Sequence, residues 1–517
     1  MRRFYHPLHR AFAYYLGMAA TKTQPQHRHQ PPSASRRARS VIALSCLMMS
    51  LMMPATASNP HNLPSLGDGS SSIVSPQMEA QIGSVFLKQI NAALPMADDV
   101  LIQYYVEQHI RNLAQYSDMR QPLQAVVVVD NPNINAFAAP GGIIGINLGL
   151  LIYAEDVAEY SSVIAHEMAH LSQRHFARGI QAQQAASVPT MIGLLAAVLV
   201  GAAGGSDAGL AALTTAQAIG QSNQLRFSRE REQEADRVGL STLVRADIDP
   251  NAMARMFERM QQAYRFTKRP PEFLLTHPLS ESRISDAKNQ ARSYGEAKPI
   301  DPTLALDYQI ARIRAQQNYS DNPAFDVANC RKSLTRAPND LALKYGLALA
   351  LSRDDQHDEA LQLVEELYER NPQSVLYVGA YAELLINAER TEQANELLGR
   401  ALTFYPDSYP LSMLHAQALI ADQEYAGAER IYKQISRQRP HDPLVWFELA
   451  ETSGLAGNVV DVHLARAEFF YLNGAPHRAI QHLKYAKNLV AGGNRQLHAK
   501  LTQRIQNLRT EIRATRG

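Results

Sequence analysis

Residues 161–170 read Ser-Ser-Val-Ile-Ala-His-Glu-Met-Ala-His and lie inside a segment, 148–178, whose apolar spacing is helical. His166 and His170 are one turn apart, so their imidazoles share a helix face, about 6 Å apart, and can bind one zinc ion. Glu167 lies one position further round the helix and can reach a metal-bound water as a general base. Surface histidines on a helix are the alternative, which the apolar setting disfavours. The segment therefore predicts a metal centre on a helix.

A third metal ligand must come from elsewhere, because a catalytic zinc ion takes three protein ligands and keeps a fourth position open. Residues 228–239, Ser-Arg-Glu-Arg-Glu-Gln-Glu-Ala-Asp-Arg-Val-Gly, are the candidate second helix. Glu230, Glu232 and Glu234 all qualify by spacing, although most glutamates in such a charged run are solvated. A structural zinc site is disfavoured, since it normally takes four Cys or His ligands and the chain has two cysteines.

Two short segments predict a small β-sheet ahead of the motif helix. Residues 124–129, Gln-Ala-Val-Val-Val-Val, form a β-branched run typical of a buried strand. Residues 133–146 indicate two strands around a Pro-Gly-Gly turn. An extended substrate peptide could add to an edge of this sheet by backbone hydrogen bonds. The candidate edge residues are Asn135, Ala136, Phe137 and Ala138.

The C-terminal part of the chain carries a 34-residue repeat. Its period is marked by four prolines, Pro338, Pro372, Pro406 and Pro440. Ten residues after each proline comes an alanine, namely Ala348, Ala382, Ala416 and Ala450. A second column of alanines comprises Ala360, Ala394 and Ala428. Small residues where paired helices cross, and a proline that ends the second helix, are the tetratricopeptide signature, so this part predicts a solenoid that binds other proteins.

The first 57 residues predict a signal peptide with a long N-terminal leader. Basic residues at 36–39 precede an apolar run, 41–53, and Ala-Thr-Ala at 55–57 provides small residues for cleavage. Residues 58–80 then form a flexible lead-in. The composition changes again at Lys-Pro-Ile-Asp-Pro, residues 298–302, which marks the predicted domain boundary. The predicted domains are a metallopeptidase domain at 81–298 and a repeat domain at 303–517.

Charge and hydropathy narrow the classes of partner. Eight of the 51 basic residues and none of the 49 acidic ones lie in residues 1–57, so the remainder is acidic by six charges. This balance argues against a nucleic-acid partner, which requires a basic face. The most apolar stretch of the mature chain, 190–205, is short and glycine-rich for a membrane span. A buried helix and a loop in peripheral contact with a membrane both remain open.

The combination His-Glu-x-x-His and Glu-x-x-x-Asp, with an alanine directly before the aspartate, resembles the integral-membrane and periplasmic zinc peptidases that include HtpX and the CAAX prenyl endopeptidase. The resemblance implies Glu232 as the third ligand. It implies that Asp236 orients a zinc-bound histidine or donates a proton. The expected fold is α+β and mostly helical: a zincin-like metallopeptidase domain with a small sheet, followed by an α-solenoid of tetratricopeptide repeats.

A further histidine belongs to this resemblance. Residues 276–284, Thr-His-Pro-Leu-Ser-Glu-Ser-Arg-Ile, resemble the family's His-Pro-x-x-x-x-Arg-Ile segment, which implies that His277 lies at the active site. His277 could donate to the oxyanion of the tetrahedral intermediate or occupy the fourth zinc position and silence the enzyme. Arg283 is expected to form a structural ion pair. His175 is expected to lie off the metal-binding face, as a packing or surface residue.

The resemblance, the signal peptide and the repeats together imply an exported zinc endopeptidase with one Zn²⁺ per chain. The expected location is the periplasm, in association with the outer membrane. Its expected partners are unfolded or misassembled outer-membrane β-barrel proteins, which it would degrade, and the β-barrel assembly machinery, which the repeats would recruit. A function of another class stays open: an assembly chaperone or adaptor whose proteolysis is latent or incidental.

Overall fold

The computed structural model of the chain describes residues 74–183, 229–265, 272–295, 299–490 and 493–514. The predicted signal peptide, most of the predicted lead-in and the apolar stretch 190–205 lie outside the described residues. Within the described ranges, no helix combines the length and the apolar composition that crossing a bilayer requires.

The N-terminal part combines helices with one small sheet. Its helices are α1 (Pro76–Ala93), α2 (Val100–Ala114), α3 (Leu148–Tyr153), α4 (Val157–Ser172), α5 (His175–Gln183), α6 (Arg229–Arg245), α7 (Asn251–Arg265), α8 (Glu272–Thr276) and α9 (Glu281–Ser293). Its strands are β1 (Ala125–Val129), β2 (Ala136–Ala139) and β3 (Ile143–Asn147).

The predicted continuous helix over 148–178 is wrong, because the chain breaks it twice into α3, α4 and α5. The first break lies between α3 and α4. The side chain of Asp156 caps the N-terminus of α4 by accepting a hydrogen bond from Glu159 N at 2.8 Å. The second break is at Arg174, whose φ of 50° is incompatible with a right-handed helix. The apolar period runs through both breaks, so it could not reveal them.

The three strands form a sheet in the order β1-β3-β2. β1 runs parallel to β3, and β2 runs antiparallel to it. The turn between β2 and β3 contains Gly141 and Gly142, both with φ of 81°, a conformation that glycine adopts without strain. The predicted strands and turn are confirmed, and β2 lies at an edge of this sheet.

Helix α4, which carries the His-Glu-x-x-His motif, is the central element of the N-terminal part. All its residues from Val157 to His170 are buried, because it packs against β2, α6 and α7. Gly239 on α6 allows a close approach, since a Cβ there would lie 3.2 Å from both Ala165 C and His166 N. The backbone of α6 therefore lies directly beside the first histidine of the motif.

The C-terminal part consists of helical hairpins. Its helices are α10 (Pro302–Asn318), α11 (Pro323–Leu334), α12 (Leu341–Arg353), α13 (His357–Arg370), α14 (Val375–Asn387), α15 (Thr391–Phe404), α16 (Tyr409–Ala421), α17 (Tyr425–Gln438), α18 (Pro443–Leu455), α19 (Val459–Leu472), α20 (Pro476–Leu489) and α21 (Arg495–Ala514). The alanines of both predicted columns are at most 1% exposed, and the four period-marking prolines lie in the turns between helices. The predicted tetratricopeptide packing is confirmed.

The repeats pack against the N-terminal part through α2. Arg314 on α10 contacts Asp99 Oδ2, at the start of α2, at 2.6 Å and Glu383 Oε2, on α14, at 2.7 Å. Leu101 on α2 fits against α14 where Gly379 has no side chain, because a Cβ at that position would lie 2.5 Å from Leu101 Cδ2. A helix of the N-terminal part is therefore packed into the repeat array.

Candidate metal centre

Four side chains from three segments converge beside α4. They are His166 and His170 from α4, Glu232 from α6 and His277 from the segment that follows α8. One ligand atom from each lies within 4.8 Å of all the others, and no side chain of the four is more than 4% exposed. The structure thus brings together the predicted histidine pair, the glutamate that the family resemblance selected, and the distant histidine.

The distances between these atoms fit a single metal ion. His166 Nε2 lies 3.0 Å from His170 Nε2 and 3.4 Å from Glu232 Oε2. His277 Nδ1 lies 3.2 Å from Glu232 Oε2 and 3.4 Å from His166 Nε2. Zinc bonds of about 2.0–2.1 Å in a tetrahedron put neighbouring ligands about 3.3 Å apart. The residues present therefore match zinc both in donor chemistry and in spacing.

Asp236 and Arg283 hold the ring of His166 on the side away from the cluster. Its Nδ1 lies 2.9 Å from Asp236 Oδ1. Arg283 donates from Nε to Asp236 Oδ2 at 2.7 Å and from Nη2 to Asp236 Oδ1 at 2.8 Å. Burial opposes ionisation of Asp236, but the hydrogen bonds from Arg283 and His166 outweigh it and lower its pKa. Arg283 also lies 2.9 Å from Glu232 Oε2, so it forms the ion pair expected of it.

The carboxylate of Glu167 lies beside the same cluster. It is fully buried, and within the described part of the chain neither of its oxygens has a hydrogen bond of normal geometry. Its Oε1 lies 3.5 Å from His277 Nε2. Burial raises the pKa of Glu167, against the smaller lowering effects of His277 and His166. A buried carboxylate with a raised pKa suits proton transfer near neutral pH.

The edge strand β2 passes next to this carboxylate. The backbone amide of Ala138 exerts a small lowering effect on the pKa of Glu167. On the opposite side of β2, Asn135 O accepts a hydrogen bond from Asn147 N at 3.0 Å. Because backbone groups alternate along a strand, those of Ala136 and Ala138 point to the free edge. Ala138, one of the predicted edge residues, therefore lies beside Glu167, the predicted base.

His175 lies closer to the centre than its spacing indicated. It is fully buried at the start of α5, and its Nδ1 is 2.8 Å from His170 Nδ1. On an unbroken helix, a residue five positions after His170 would point away. The left-handed turn at Arg174 returns the chain toward the motif, so only the recognition of that break could have revealed this contact.

Comparisons with known proteins agree with this geometry. The model of peptidase family M48 matches residues 101–291, and a tetratricopeptide repeat model matches residues 385–451. The beta-barrel assembly-enhancing protease of Yersinia pestis is 30% identical over 86% of this chain and 91% of its own. The protein of the same name from Escherichia coli K12 is 28% identical over 90% of this chain and 95% of its own.

Another relative is similar to a smaller share of this chain. The mitochondrial metalloendopeptidase OMA1 of Schizosaccharomyces pombe is 32% identical over 35% of this chain and 50% of its own. The similarity to the bacterial proteins, in contrast, extends over both the peptidase motif and the repeats. The chain is a metalloprotease of peptidase family M48 and belongs to the group of beta-barrel assembly-enhancing proteases.

Proposed function

We propose that the protein is a periplasmic zinc endopeptidase that acts on outer-membrane β-barrel proteins during their assembly. The single observation that carries the chemistry is the buried cluster of His166, His170, Glu232 and His277, with the carboxylate of Glu167 beside it. The names of the bacterial relatives support the substrate class. The predicted signal peptide supports export.

His166, His170 and Glu232 would hold the zinc ion, because two histidines and a carboxylate are a common ligand set of catalytic zinc. When bound, zinc supplies a Lewis acid that polarises a carbonyl and lowers the pKa of water. Glu167 takes the proton of the attacking water and transfers it to the leaving amine. Asp236, held by Arg283, keeps the ring of His166 oriented so that Nε2 faces the other ligands.

The substrate would bind as an added strand on β2. The backbone groups of Ala136 and Ala138 face away from β3 and would pair with an extended peptide, and Ala138 lies beside the base Glu167. Backbone pairing carries little sequence information, so it suits cleavage of many unfolded chains. It also requires an extended segment, which a folded β-barrel does not offer.

His277 is proposed to be a fourth ligand that closes the site. Its Nδ1 lies 3.2 Å from Glu232 and 3.4 Å from His166, the same separations that the other ligand atoms keep from one another. A ligand in the fourth position excludes the water that Glu167 must activate. The enzyme is therefore latent until His277 moves aside. This interpretation favours silencing over oxyanion stabilisation, the two roles that the sequence left open.

The same observation supports a second candidate function. If the closed site is the usual state, the repeats act mainly as a chaperone or adaptor for unfolded outer-membrane proteins, and proteolysis is a rare outcome. Both candidates use the repeats to recruit substrate or the assembly machinery. They differ in whether peptide-bond cleavage by Glu167 is required.

Degradation of an unfolded outer-membrane β-barrel protein by the chain from residue 58 onward separates the candidates. Wild type, Glu167→Gln and His277→Ala are compared at equal zinc content, measured by metal analysis. We expect slow cleavage by wild type, faster cleavage by His277→Ala and none by Glu167→Gln. Absence of cleavage by all three zinc-loaded proteins would overturn the peptidase proposal in favour of the chaperone. Loss of cleavage in His277→Ala would favour the oxyanion role.

A further inference from the structure

We propose that His175 and Glu234 form a relay that fixes the tautomer and orientation of the metal-binding imidazole of His170. The inference rests on the proposed zinc site, and it assigns positioning roles to two residues that are not among the proposed zinc ligands. His170 Nδ1 lies 2.8 Å from His175 Nδ1. His175 Nε2 lies 3.2 Å from Glu234 Oε2. The three side chains thus form a continuous hydrogen-bonded row that leads away from the cluster.

Glu234, at the outer end of this row, determines which atom donates each hydrogen bond. A carboxylate can only accept hydrogen bonds, so His175 Nε2 must carry the proton that faces Glu234. In neutral His175 the other nitrogen, Nδ1, is then an acceptor. His170 Nδ1 must therefore be the donor across the 2.8 Å contact. This leaves the lone pair of His170 on Nε2, the atom that lies 3.0 Å from His166 Nε2 within the cluster.

The reverse arrangement is chemically unfavourable. If His175 Nδ1 donated to His170, neutral His175 would turn a bare Nε2 toward the carboxylate, and two acceptors would face each other at 3.2 Å. His170 would then carry its proton on Nε2, where it would exclude a metal ion. Glu234 therefore selects the metal-binding tautomer of His170, and it does so through the ring of His175, which lies between them.

Glu234 is itself held in place. Arg178 Nη1 lies 2.9 Å from the same Oε2 atom that faces His175. The side chain of Glu234 is 28% exposed, whereas His175 is completely buried. A buried ring with a polar partner on each nitrogen is more than a packing residue.

Each of the two proposed zinc histidines is oriented by an acidic residue of α6, and an arginine holds each of these acidic residues. Asp236 contacts His166 directly, and Arg283 holds Asp236. Glu234 contacts His170 through His175, and Arg178 holds Glu234. Helix α6 therefore contributes a ligand and both of the acids that orient the histidines. Such outer contacts typically change metal affinity about 10–100-fold when they are removed.

The test compares Glu234→Gln and His175→Ala with wild type and with Glu230→Gln, a charge-matched control on the same helix. Zinc dissociation constants are measured by competition with a chromogenic chelator. The visible absorption of the cobalt-substituted proteins reports ligand geometry, and the thermal midpoints of the metal-free proteins report folding. The substitution Glu234→Gln keeps the size of the side chain, so it remains informative if His175→Ala disturbs packing.

We expect Glu234→Gln to weaken zinc binding roughly 10–100-fold and to shift the cobalt bands, with an unchanged midpoint for the metal-free protein. Glu230→Gln should behave like wild type in all three measurements. Unchanged zinc affinity and cobalt spectrum in Glu234→Gln would overturn the relay alone. Failure of wild type to bind zinc, or retention of full binding in His166→Ala, would instead overturn the proposed metal centre and the relay with it.

Discussion

Gly239 on α6 lies directly against the backbone of His166 on α4. A Cβ at position 239 would sit 3.2 Å from His166 N and 3.1 Å from Met253 Cε. Both helices are buried at this level, so neither can shift freely. The separation between the histidine pair on α4 and Glu232 on α6 therefore depends on the missing side chain of this glycine.

We expect Gly239→Ala to push α6 away from α4 and to loosen the metal centre. Overpacking of this kind costs about 1–3 kcal/mol of the free energy of unfolding, and zinc affinity should fall with it. Urea unfolding of the metal-free protein and chelator competition measure the two effects. Gly399→Ala on α15 is the matched control, because a Cβ there meets no atom within 4 Å. The control should gain about 0.5–1 kcal/mol, and equal behaviour of both variants would contradict the prediction.

The elements that sequence predicted well are those with a local pattern. The alanine columns, such as Ala348 and Ala382, repeat with a fixed period, and the β-branched run at 124–129 needs no partner to be recognised as a strand. The parallel pairing of β1 with β3 had no local signature, because strand order is decided by contacts across the sheet.

The sequence predicted those residues of the candidate site whose positions follow from helical spacing. The pair His166 and His170 follows from a one-turn separation, and the structure places both rings on one helix face, with centroids 4.7 Å apart rather than the expected separation of about 6 Å. The choice of Glu232 over its neighbours required the family resemblance, since three glutamates in one charged run differ only in which way they face. His175 could not be located, because its position depends on the left-handed conformation of Arg174.

Arg314 should contribute strongly to stability through the junction between α2 and the repeats. It is 5% exposed and pairs with Asp99 and Glu383, so Arg314→Ala leaves buried carboxylate charge uncompensated. We expect a loss of about 3–5 kcal/mol in the free energy of unfolding by urea. Arg331→Ala removes an exposed pair with Glu359 and should cost less than about 1 kcal/mol. Similar losses of unfolding free energy in the two variants would show that the buried ion pairs of Arg314 contribute no more to stability than an exposed pair does.

Asp307 on α10 should make the junction sensitive to pH. Burial raises its pKa from 3.8 to about 6, although Tyr377 donates a hydrogen bond that partly offsets this effect. The folded state therefore binds a proton more tightly than the unfolded state, and this contribution is lost as pH rises from about 4 through 6. Asp307→Asn should remove this contribution to the pH dependence and raise stability at pH 7.5 by up to about 3 kcal/mol. Parallel stability–pH curves for the variant and wild type, measured by urea unfolding between about pH 4.5 and 8, would refute this assignment.

Phe137 on β2 covers Gly145 on β3, and this contact offers a test of the substrate edge. A Cβ at position 145 would lie 2.1 Å from Phe137 Cζ, so Gly145→Ala must displace the ring and with it the strand that carries Ala138. We expect kcat/KM for an unfolded protein substrate to fall about tenfold, equivalent to about 1.4 kcal/mol. Zinc content should stay unchanged, because none of the four clustered side chains proposed to hold the ion lies on the sheet.

The double variant Gly145→Ala, Phe137→Leu makes this test specific. The smaller leucine side chain at position 137 leaves space for the new methyl group, so the strand should return toward its position and activity should recover. Loss of zinc in Gly145→Ala would indicate general disruption of the fold rather than of the edge. Full activity at normal zinc content would show that substrate does not pair with β2, and the binding surface would then have to be sought elsewhere around Glu167.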